Sequence, residues 1–122
     1  MILEVLDAAG SRLRAGRVEA TGLVLFGKGV LKTARNLHVL PANGSRARSD
    51  QLVDALFEAV ERGRVRRYAE DWQLTPEGIS VLEEADARAG ETARRLADEL
   101  SALDDDALAD EADRMCIALS AA

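Results

Sequence analysis

The stretch Arg62-Gly63-Arg64-Val65-Arg66-Arg67-Tyr68-Ala69-Glu70-Asp71-Trp72-Gln73-Leu74-Thr75-Pro76-Glu77-Gly78 decides how the chain is read. Gly63 stops the helix before it. Residues 64–68 and 72–75 then read as two short strands around a tight Ala69-Glu70-Asp71 turn, being rich in residues that suit a pleated sheet and bounded by turn formers. Thr75-Pro76-Glu77 opens a helix: a hydroxyl cap, a proline in the first turn where no N–H is needed, and a carboxylate at the positive end of the dipole. The expected unit is helix, hairpin, helix.

Working upstream, Ser49 or Asp50 can cap a helix that runs to about residue 62. Leu52, Val53, Leu56, Phe57 and Val60 form its expected apolar face, which leaves Gln51, Asp54, Ala55, Glu58 and Glu61 exposed. Residues 38–48 read as a loop through Pro41 and the turn dipeptide Asn43-Gly44. The lone histidine, His38, has no carboxylate or nucleophile beside it in sequence and reads as structural. Residues 18–37 give Ala20, Leu23, Val24, Gly27, Val30, Leu31, Ala34 and Leu37 at helical period, which decides against a strand at residues 23–26. Gly27 on that face admits a close neighbour, and Lys28, Lys32 and Arg35 make a basic stripe opposite it. The first segment, 2–14, is expected to be a helix burying Ile2, Val5, Leu6, Ala9 and Leu13.

Downstream, one helix is expected from Pro76 to about residue 101. Ile79, Leu82, Ala89, Ala93, Leu96, Leu100 and Leu103 recur near heptad spacing, interrupted at Asp86. A last helix follows the Asp104-Asp105-Asp106 run with the stripe Leu108, Ala112, Met115 and Leu119; Cys116 beside it reads as a small buried apolar residue. The expected fold is mainly α, with one small β-hairpin and C-terminal helices. Residues 1–78 form one part and 79–122 a C-terminal helical segment, together one compact domain.

Residues 52–84, above all Val60-Glu61-Arg62-Gly63-Arg64-Val65-Arg66-Arg67 and Trp72-Gln73-Leu74-Thr75-Pro76-Glu77-Gly78, resemble winged helix-turn-helix transcription regulators of the MarR and PadR type. The resemblance implies a winged helix-turn-helix-like fold, with residues 1–78 as the winged-helix-like part and 79–122 as a C-terminal helical segment for dimerisation or interaction. It implies that the helix before the hairpin enters a DNA groove, that the hairpin is a wing on the backbone, and that a long following helix builds a homodimer. It makes Leu82, Ala89, Ala93, Leu96, Leu100 and Leu103 the expected dimer interface.

Charge speaks to partners. Residues 1–67 balance at +5 and residues 68–122 at −11, within a net −6. Such asymmetry points either to an anionic partner or to neutralisation within the molecule. The expected double-stranded DNA contacts are Lys28, Lys32, Arg35, Arg46, Arg48, Arg64, Arg66 and Arg67, because arginine suits phosphate and guanine. Three carboxylates on the exposed face of the 50–62 helix weigh the other way. They keep a protein-interaction module open as the alternative: an antitoxin, a phage-encoded modulator or an assembly subunit. No phosphate loop, catalytic triad or metal-ligand cluster appears, so neither enzyme activity nor a cofactor or metal is expected. One cysteine, no signal-peptide pattern and no long apolar run lead to the expectation of a cytoplasmic chain off the membrane.

Overall fold

The computed structural model describes residues 1–34, 37 and 46–120. Its first helix, α1 (Ile2–Ala8), is buried along its whole length. Around it lie α2 (Val18–Gly27), α3 (Asp50–Glu61), α4 (Pro76–Glu84), α5 (Glu91–Ser101) and a small sheet of β1 (Arg12–Arg14), β2 (Val65–Tyr68) and β3 (Asp71–Leu74). α1 touches α2, α3, α4, α5 and β3, and α6 (Asp105–Ser120) packs along α2. The sheet is antiparallel in the order β1-β3-β2. The described residues are thus mainly helical with one three-stranded sheet.

The segment that decided the sequence reading folds largely as expected. Gly63 has φ 73°, and a hairpin follows it. The Thr75 hydroxyl accepts the Gly78 N–H at 3.1 Å and donates to the Gly63 carbonyl at 2.6 Å. One side chain therefore caps α4 and ties it to the end of α3. Gly78 lies against the Arg64 carbonyl so closely that a Cβ there would collide with it. Residues 23–26 are helical, and Gly27 is the close-approach point foreseen, with the Met115 side chain of α6 occupying the space a Cβ would need.

Four expectations are corrected. The helix over 2–14 ends at residue 8, because Gly10 (φ 84°) and Ser11 (φ 72°) turn the chain over and residues 12–14 pair with β3. Hence the sheet has three strands and not a hairpin alone. The helix over 18–37 ends at Gly27, so Lys28 and Lys32 do not stand on a helical stripe; Arg35 and His38 lie outside the described residues. The helix over 76–101 is two helices, broken where Asp86 takes φ 51°. In consequence Leu82, Ala89, Ala93 and Leu100, expected at a dimer seam, are buried inside the single chain, while Leu96 and Leu103 are half-buried against the same core.

The segments beyond two of these breaks are held by buried carboxylates, α2 itself ending where Gly29 takes φ 69°. Glu4 and Asp7, three apart on α1, are both fully buried. A buried carboxylate is costly unless hydrogen-bonded. Glu4 accepts the Lys32 N–H at 2.7 Å, the Thr33 N–H at 2.8 Å and the Thr33 hydroxyl at 2.7 Å, which holds the chain just past α2 out of helix. Asp7 takes two bonds at 3.0 Å from Arg88, the Ala89 N–H at 2.7 Å and Arg94 at 3.3 Å. That bracket holds the link between α4 and α5.

Burial by itself would raise the Asp7 pKa. The Arg88 hydrogen bond, the Ala89 N–H and the positive charges of Arg94 and Arg88 outweigh it and hold the carboxyl below its ordinary 3.8. A lowered folded-state pKa means stability that is complete above the unfolded value and lost as pH falls through the folded one. The expected result is an acid limb to the stability profile below about pH 4 that Asp7→Asn flattens. The same substitution lowers stability at neutral pH by about 2 kcal/mol. This is less than the ~3–5 kcal/mol for a fully buried pair, since both arginines stay partly solvated. Urea denaturation across pH checks both.

Candidate docking surface on α3 and the hairpin

The β2–β3 register pairs Arg67 with Trp72 and Val65 with Leu74, so these four share the sheet face turned toward α3. Trp72 is buried there. The Phe57 ring meets it edge-on, with centroids 6.4 Å apart at 85°, and the Arg67 guanidinium lies 4.9 Å from the indole centroid on the solvent side. Arg67 also donates from Nε to the Ala69 carbonyl at 3.0 Å, which fixes its direction.

Beside this stack runs a groove of about 340 Å³. Leu52, Leu56, Val18 and Trp72 form its floor, Val53 and Phe57 its wall, and Arg67 and Glu19 bring opposite charges to its lining. The sequence reading placed Val53 and Phe57 on the buried face of α3. The structure corrects this: Val53 is 36% and Phe57 55% exposed, because α3 buries the narrower stripe Leu52, Leu56 and Ala59. The α3 surface therefore carries an apolar pair one helical turn apart, flanked by exposed Asp54, Glu58 and Glu61. Glu58 is ion-paired to Arg62 at 2.8 Å. Burial raises the Glu19 pKa, and the Asp50 charge adds to this, against the opposing effects of the Ser49 N–H and the Arg48 charge.

The expected DNA contacts do not form one surface. Arg46 is bound by α6, with bonds of 2.7 Å to Asp110 and 2.9 Å to Asp113, while Asp113 also accepts the Ala47 N–H at 2.8 Å. Lys28 and Lys32 are exposed beyond the C-terminal end of α2, about 15 Å from its N-terminal end at the groove. Arg48 is exposed just before α3, and Arg64 is half-buried where its backbone carbonyl receives the Thr75 N–H. Arg66 points to the other side of the sheet from Arg67 and bonds Gln73 at 3.2 Å.

That outer sheet face holds residues the sequence reading missed. The register sets Arg12, Gln73 and Arg66 in one row and Arg14, Asp71 and Tyr68 in the next. Arg12 is ion-paired with Asp71 and lies 6.0 Å from the centroid of the Tyr68 ring, which is 59% exposed. The alternation Arg12-Leu13-Arg14 after Gly10-Ser11 was the available signal. Among the described residues no group of His, Cys, Asp and Glu is placed to hold a metal, and no helix is long and apolar enough to cross a membrane.

No protein-family model, curated protein or solved structure matches this chain.

Phe57 and Trp72 touch but differ in burial, which separates fold from surface. Trp72→Ala is expected to lower stability by about 3 kcal/mol, as for other core aromatics. Phe57→Ala is expected to cost the isolated chain under about 1 kcal/mol, its ring there being more than half solvated. Chemical denaturation midpoints of the two variants check the contrast.

Proposed function

We propose that the chain is a non-catalytic protein-interaction module that docks protein on the α3–hairpin face. The observation that carries this reading is the exposed Val53–Phe57 pair beside the Trp72–Arg67 stack. Aromatic rings and arginine over a preformed apolar groove are the composition of interface anchors. The same helix shows Asp54, Glu58 and Glu61 to solvent, and carboxylates there oppose a phosphate backbone. A photo-crosslinking residue at position 57, expressed in the native host, is expected to yield a protein adduct of discrete mass. A nucleic-acid adduct, or none, overturns the reading.

A second reading, contact with DNA, is favoured by the outer sheet face, which carries Arg12, Arg14, Arg66 and the exposed Tyr68, Arg12 being paired with Asp71 and Arg14 lying 3.8 Å from Asp105. On this reading Arg66 is a wing residue on phosphate, with Arg64 beside it. Arg66→Ala then flattens the slope of log affinity against log salt by about 0.9 for each phosphate that the arginine neutralises. Duplex binding at low salt, measured by fluorescence anisotropy, checks it. An unchanged slope removes Arg66 from the DNA surface.

A further inference from the structure

Building on the docking reading, we infer that the protein covering the α3–hairpin face is a second copy of this chain, in a two-fold dimer. The groove wants an apolar pair at helical spacing and a negative group for Arg67. α3 of another copy offers both on one surface. Val53 and Phe57 stand one turn apart and exposed, and Asp54 and Glu58 flank them, Glu58 being also paired with Arg62 of its own chain. The chain thus carries both halves of the contact, groove and helix, on adjoining residues.

Adjacency of the two halves is what a two-fold interface requires, because such an interface uses the same patch twice and sets residue i against j and j against i. If α3 of one copy lies over the groove of the other, Arg67 of each meets the Asp54–Glu58 edge of its mate. The two Phe57 rings then close over the two Trp72–Arg67 stacks. A polar edge around aromatic anchors is the arrangement in which truncating an anchor weakens binding most. The surfaces expected from the sequence to do this work, around Leu82, Ala93 and Leu100, are enclosed within the chain. Ile117 and Leu119 near the end of α6 are also exposed, but only the α3 face sets its apolar pair beside a groove with Arg67 at its lining.

Light scattering of the unaltered protein at micromolar concentration is expected to give twice the chain mass of 13.1 kDa. Arg67→Glu alone, and Asp54→Arg with Glu58→Arg alone, are each expected to be monomeric, with helical circular dichroism retained. An equimolar mixture of the two recovers a dimer, since the exchanged charges again oppose. Phe57→Lys, at a solvated position, gives a second monomeric variant should a charge exchange unfold the chain. A monomeric unaltered protein overturns the second copy, as do charge-exchanged variants that remain dimers. The position-57 adduct separates this failure from that of docking itself. An adduct of twice the chain mass supports the dimer, an adduct of another mass leaves docking standing without it, and no protein adduct ends both.

Discussion

The two carboxylates inside α1 are the constraint to which the other elements answer. A seven-residue helix with no wet face has to satisfy Glu4 and Asp7 from its neighbours, because water does not reach them. Glu4 claims backbone donors just past α2, and Asp7 claims two arginines and an amide between α4 and α5. Each claim falls at a break in a segment whose apolar periodicity would carry a longer helix. Both N- and C-terminal parts are thereby fastened to one element. The 1–78 and 79–122 segments share this core, with α5 against α1 and α6 against α2.

What was legible in the sequence was local. The Gly63 stop, the hairpin, the Thr75 cap, the limits of α3 and the helical state of residues 23–26 all depend on residues within a few positions of one another. What was not legible depends on distant partners. β1 is three residues long and has no identity until β3 lies beside it, 59 residues on in the Arg12–Asp71 pair. The break at Asp86 is held by a buried acid that periodicity counts as polar and therefore places in solvent, while α2 ends where Gly29 takes φ 69°, a stop that the apolar period overrode in the sequence reading. The exposure of Phe57 comes from the narrowness of the stripe that α3 buries, which an apolar pattern five residues wide conceals. Of the candidate surface, Arg67 was singled out in the sequence only as a DNA contact. Its position over an aromatic ring, and the company of Arg12 and Arg14 on the far side of the sheet, required the strand register.

The unequal charge of the two halves is largely consumed within the fold. Arg17 bonds Asp105 at 2.8 Å and the carbonyls of Leu100 and Leu103 at 2.9 Å, closing the C-terminal end of α5. Arg46 sits among three aspartates of α6, and Arg88 and Arg94 serve Asp7. The acidic C-terminal helices are in effect the counter-ion of the basic first half. Among the described residues, the cations left toward solvent include those of the sheet, the α2 end and Arg48 before α3, which narrows where an external partner of either kind can be met.

The distances along the chain within the Asp7 cluster bear on how the molecule assembles. Its acceptor and donors are 81 to 87 residues apart in sequence, and the Arg17 bonds close loops of similar length. Loops of that size forfeit chain entropy before any contact repays it, and folds dominated by such contacts form slowly. During synthesis, α1 is made long before residues 88–94, so Asp7 stays in water until its donors have followed. The core helix of this protein is therefore among the last elements to be locked in place.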